Sequence, residues 1–136
     1  MPIRALLMDI DDTLFDFQTG YKRALRAALA QFGVECTPQL LELYGSINDR
    51  LWERFERGEI AKDALYEERF RQLFERCGIN ASPAACNEAY HNALRLQHDL
   101  MPHCEQVLRQ LLLPEHARAD GVVDVVVDVG DAIGAA

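Results

Sequence analysis

The chain has 136 residues, room for one medium domain or a compact pair of subdomains. An apolar fraction of 49% supports a packed core, and the net charge of -8 argues against a nucleic-acid polymer or an anionic membrane as partner. No stretch is apolar for long enough to span a bilayer, no signal-peptide pattern opens the chain, and the scattered Cys36, Cys77, Cys86 and Cys104 form no CxxC pair, so a reduced cytoplasmic protein is expected.

The first element is a strand over 3–9. The apolar run Ile3, Ala5, Leu6, Leu7 and Met8 leads into Asp9, Asp11 and Asp12. A short apolar run that ends in acids reads as a buried strand whose carboxyl end opens into a site. Crowded carboxylates repel one another and lose solvation, and a bound cation relieves both. Asp16 is a plausible cap for a helix to about Gln31, with Tyr21, Ala24, Leu25, Ala28, Leu29 and Phe32 at helical spacing and Gly33 as the stop. Thr37-Pro38 opens a second helix that ends at Gly58, with a kink expected at Gly45-Ser46. A third runs from about Ala61 to Cys77-Gly78, and Ser82-Pro83 opens a fourth. Together these four read as a small bundle inserted after the first strand. Pro102 is expected to begin a fifth helix, with Val107, Leu108, Leu111 and Leu112 inward, ended by Pro114. Val122–Val129 has the β-branched content of a strand.

The chemistry concentrates in residues 9–13. Asp9 at the strand tip can act as a carboxylate nucleophile. Asp11 can turn toward the same pocket and serve as acid and base if burial and the Asp9 charge raise its pKa. Mg2+ would bridge Asp9 to a phosphate oxygen, and Thr13 with the N–H groups of the turn could cradle phosphate. The bland alternative is an Asp-rich turn leading to a helix cap. Asn48 and Trp52 share a helix face that reads either as a contact to a base or, for Trp52, as bundle core, with Asn48 solvated or capping. The run Arg50, Glu53, Arg54, Glu56, Arg57 and Glu59 reads as a solvated face with i,i+3 and i,i+4 pairs. His91, His98, His103 and Cys104 are too loosely spaced for a metal site and read as ordinary side chains.

DIDDTLFD resembles motif I of the haloacid dehalogenase (HAD) superfamily, with Asp12 where many members have glycine. The insert is similar to the cap of YjjG-like pyrimidine 5'-nucleotidases of the noncanonical-nucleotide group, on Tyr44, Asn48, Leu51-Trp52, Phe55, Gly58, Ile60, Leu65 and Arg69-Phe70. The resemblance implies an α/β, Rossmann-like HAD core, incomplete, with a helical-bundle cap after the first strand. Residues 1–15 would be the first strand and motif I loop, 16–100 the cap, and 101–136 the return to the core. By the same resemblance, Asp9 is nucleophile and Mg2+ ligand, Asp11 is acid/base and Mg2+ ligand through its backbone carbonyl, and Thr13 supports the loop that binds substrate. The implied reaction is hydrolysis of a small phosphate monoester, a nucleoside monophosphate of pyrimidine type, through an aspartyl-phosphate. The superfamily's later Ser/Thr and Lys have no counterpart, since the last Ser or Thr is Ser82 and the last lysine is Lys62. Asp131 in VVVDVGD is a weak match to the final acidic motif. A chain truncated or frame-shifted after about residue 113 is therefore expected, and the alternative function is a non-catalytic fragment or binding module that keeps the bundle.

Overall fold

The computed structural model describes residues 5–112 and 124–127. In order, the elements are β1 (Ala5–Met8), α1 (Phe17–Ala30), α2 (Pro38–Glu56), α3 (Lys62–Cys77), α4 (Pro83–Leu94), α5 (Cys104–Leu112) and β2 (Asp124–Val127). The chain divides into two compact units, one formed by 21–97 and the other by the segments on either side.

The unit of 21–97 is helical. Its core takes Ala24, Leu25, Ala28 and Leu29 from α1 at the spacing read from the sequence, all fully buried. Leu40, Tyr44, Ile47 and Leu51 line α2; Leu65, Phe70, Leu73 and Phe74 line α3; Cys86, Ala89 and Tyr90 line α4. The central helix, α3, packs against both α2 and α4. Thr37 caps α2 by accepting the Leu40 N–H at 3.2 Å, and Ser82 caps α4 by accepting from Ala85 at 3.2 Å, with proline at the first helical position in each. Gly78 ends α3 in the left-handed region, φ 65°. One helix, α2, runs through Gly45 and Ser46, where the sequence suggested a kink. The charged run pairs through Glu59, which lies past the helix end, with Arg57 at 2.6 Å and Arg54 at 3.6 Å, not at the i,i+3 and i,i+4 spacings expected.

In the other unit β1 and β2 pair in parallel, Ala5 opposite Asp124 and Met8 opposite Val127. Parallel neighbours require a crossover, and here everything from α1 to α5 lies within it. So β2 occupies the middle of the Val122–Val129 stretch, whose ends, like Asp131, lie outside the described residues. Leu7 is 73% exposed, so β1 is not the wholly buried strand its apolar run suggested. Ile10, Leu14 and Cys104 form a small buried cluster, with Met8, Phe15, Met101 and Leu108 packed on it. The start of α5 is Cys104, later than Pro102, because His103 adopts a left-handed conformation, φ 64°. Cys104 and Leu108 face the cluster, Leu108 as expected, and Val107, expected inside, is exposed.

Candidate active site

The acidic stretch begins where β1 ends. Asp9 is the first residue beyond the strand, and Ile10 anchors the turn that follows. The Ile10 carbonyl accepts three N–H groups, from Leu14 at 2.8 Å, Phe15 at 3.0 Å and Thr13 at 3.3 Å. Asp12 N–H donates to Phe15 O at 2.8 Å. The N–H groups of residues 12–15 thus close the loop on itself and do not stand open as a phosphate cradle, which corrects one expectation. They give the loop a fixed shape instead. The side chains of Ile10 and Leu14 point into the cluster with Cys104, while Asp9, Asp12 and Thr13 are exposed and Asp11 is half-buried.

Asp12 has φ 58°, the left-handed region that glycine enters without strain and Asp tolerates better than most residues. Its carboxylate accepts from the Gln18 N–H at 3.3 Å and lies 3.5 Å from Gln18 Nε2. Asp16 caps α1, accepting from Thr19 N–H at 3.0 Å and Thr19 Oγ1 at 2.7 Å. A two-way tie closes the base of the loop: Asp16 N–H donates to Asp99 O at 2.8 Å, and Met101 N–H donates to Leu14 O at 2.9 Å.

Burial is the largest influence on Asp11, and the Asp12 and Asp9 charges add to it, so its pKa is raised. Such a group holds a proton more readily than a free carboxyl. Mg2+ takes oxygen ligands and typically needs only one or two protein carboxylates beside water and substrate oxygens. Asp9 through its carboxylate and Asp11 through its backbone carbonyl fit that partial role. Among the described residues no set of three His, Cys, Asp or Glu groups converges as a metal site, and His91, His98, His103 and Cys104 form none.

In the helical unit, Trp52 packs against the core and makes edge contacts with Phe55 and Tyr66, at 5.4 and 6.5 Å between centroids. Asn48 caps no helix and is half-buried. Its Oδ1 accepts from Arg69 Nη1 at 3.3 Å. Arg69 entered the sequence reading only through the cap resemblance, although a local signal of its burial was present: it lies four positions from both Leu65 and Leu73, on the apolar stripe of α3.

No family model matches the chain. It is 34% identical over 98 residues to the HAD-hydrolase YfnB of Bacillus subtilis, which covers 72% of this chain and 42% of that one. It is 29% identical to the pyrimidine 5'-nucleotidase PynA of Streptococcus pneumoniae, over 79% of this chain and 45% of the relative. It is 32% identical to the pyrimidine 5'-nucleotidase YjjG of Escherichia coli, over 65% and 38%. The chain thus spans less than half the length of these relatives. Among solved structures it superposes on Bacillus subtilis YfnB bound to magnesium with a TM-score of 0.79 at 26% identity, over 98% of this chain and 56% of the other.

Proposed function

The chain belongs to the HAD superfamily of hydrolases, an α/β fold with a helical bundle inserted after the first strand, and from that premise we propose that it acts as a Mg2+-dependent nucleotide 5'-monophosphatase on pyrimidine substrates. In this reading residues 16–100 are the cap, and 1–15 with 101–136 belong to the core. Free cysteines at 36, 77, 86 and 104 fit a cytoplasmic setting.

Asp9 is assigned as the nucleophile. Its carboxylate oxygen forms a bond to phosphorus as the ester P–O bond breaks, leaving an aspartyl-phosphate. Asp11 delivers its proton to the departing nucleoside oxygen. It then takes a proton from the water that attacks the aspartyl-phosphate, which frees inorganic phosphate and restores Asp9. Thr13 holds the loop and offers its hydroxyl to phosphate. Asp9 and Asp11 would hold Mg2+, which when bound neutralises charge on the phosphate oxygens. The observation that carries the reading is the placement of Asp9 and Asp11 just past a parallel strand, on a loop whose backbone is fixed by three bonds to one carbonyl. Magnesium in the YfnB structure and the pyrimidine 5'-nucleotidase names of two relatives support the ion and the substrate class.

Phosphate release from nucleoside monophosphates with Mg2+ tests it. Turnover is expected, and Asp9→Asn abolishes it. Turnover that survives Asp9→Asn rules the assignment out. No turnover, together with a melting temperature that ignores millimolar Mg2+, would instead select a non-catalytic binding module.

A further inference from the structure

Asp11 is held on both sides by Phe15. The peptide before it supplies the Ile10 carbonyl, which accepts the Phe15 N–H at 3.0 Å, and the peptide after it carries the Asp12 N–H, which donates to Phe15 O at 2.8 Å. Asp11 and Phe15 therefore form a one-residue parallel bridge, and Phe15 pairs in turn with Leu100. The peptide between Asp11 and Asp12 is planar and trans, so its C=O points opposite to its N–H. Since that N–H is aimed at Phe15 O, the Asp11 carbonyl is turned away from Phe15.

This arrangement needs an unusual backbone at residue 12. Among the described residues only Asp12, φ 58°, and His103, φ 64°, enter the left-handed region without being glycine. Both border the cluster of Ile10, Leu14 and Cys104. Strain of this kind persists where the surroundings hold it, and it gathers at functional sites. Glycine enters the region freely, whereas a residue with a Cβ does so at a cost. Here the carboxylate offsets that cost. It accepts the Gln18 N–H at 3.3 Å, lies 3.5 Å from Gln18 Nε2, and stands at the N-terminus of α1, where negative charge is favoured. Glycine in its place would reach the same turn without being held in it.

We infer that Asp12 is a positioning residue for Asp11. Its latch to Gln18 holds the left-handed turn. The turn keeps the Asp12 N–H on Phe15, and that bond fixes the peptide plane from which Asp11 presents its carbonyl. The inference rests on the reading of Asp11 as the acid and base of a hydrolase, and adds the residue that sets its backbone. A plain helix cap would make the same contacts with Gln18, but its loss would loosen α1 alone.

The test compares the full 136-residue chain with its Asp12→Gly and Asp12→Asn variants. Glycine permits φ 58° without the latch, and asparagine tolerates that φ and keeps an oxygen toward the Gln18 N–H. In Asp12→Gly the amides of residues 12 and 15 should lose protection against hydrogen exchange about fivefold, the scale of one lost cap, as read by NMR. Asp12→Asn should keep the parent's protection at both. The Thr19 N–H, which bonds to Asp16, should be protected alike in all three chains. Where the parent turns over a nucleoside monophosphate, kcat should fall about fivefold further in Asp12→Gly than in Asp12→Asn, with KM alike. Unchanged protection at residues 12 and 15 in Asp12→Gly overturns the inference, and so does a loss confined to α1, or an equal kcat in the two variants. A parent without turnover overturns the hydrolase reading alone, and protection at residues 12 and 15 still decides whether Asp12 holds Asp11.

Discussion

Acid should loosen the helical unit through His91. In the folded chain the ring sits 3.4 Å from the Arg69 guanidinium, half-buried, with its pKa pushed down to about 4 from the ordinary 6.5. In the unfolded chain that depression disappears. Between about pH 6.5 and pH 4 the unfolded state therefore binds the proton that the folded state refuses, and stability falls as pH falls through this window. Above pH 6.5 the contribution is fully present. A shift from 6.5 to about 4 is worth roughly 3 kcal/mol at about 1.36 kcal/mol per pH unit. Solvent reaches part of the ring, and screening reduces the effect to about 1–2 kcal/mol. His91→Gln keeps a polar acceptor on α4 and does not titrate. Urea denaturation of both chains at pH 7.5 and pH 4.5 isolates the histidine, because every carboxylate is common to both. The parent should lose about 1 kcal/mol more than His91→Gln over that interval. Equal losses would refute the reasoning, and so would a larger loss in the variant.

Two further outcomes follow from packing and charge. Phe70 is fully buried and touches Tyr44, Tyr90 and Phe74, with ring centroids 5.7 to 6.2 Å away. Phe70→Ala should therefore cost about 3–5 kcal/mol of unfolding free energy, measured by urea melts, and a cost below about 1 kcal/mol would mean that the α3 face is not core. Asp12→Asn keeps a residue type that tolerates φ 58° while removing the charge that, after burial, most raises the Asp11 pKa. Asp11 should then titrate at lower pH in a carboxyl-carbon NMR titration, and an unmoved or higher midpoint would show that Asp12 does not act on it.

The parts of the fold that were legible in sequence are those set by neighbouring residues. Thr37-Pro38 and Ser82-Pro83 start helices because a hydroxyl accepts the N–H three residues on and proline presets the first helical φ. The acidic loop was legible as chemistry, since Asp9 and Asp11 follow an apolar strand directly. Its backbone was less so. Nothing in DIDDTLFD says that the Ile10 carbonyl would collect the N–H groups of the turn, and the phosphate cradle expected of them was wrong for that reason. The start of α5 shifted because the left-handed His103 interrupts the chain after Pro102. The burial of Arg69 was not read because a charged residue on an apolar stripe is read as an interruption. Its burial depends on acceptors from two other helices, and no local pattern reveals those.

The hydrogen bonds at the base of the insert also bear on how the sheet forms. Ala5 and Asp124 pair across almost the whole chain, a long loop to close by diffusion alone. Yet the chain leaves at Leu14 and Asp16 and returns at Asp99 and Met101 through direct backbone bonds. Once that gate is shut, the helical segment no longer counts toward the loop that the two strands must close. The strands then meet as the ends of two short arms. In kinetic terms the gate converts a contact of very high sequence separation into a nearly local one, so sheet pairing should follow closure at Asp16 and Asp99.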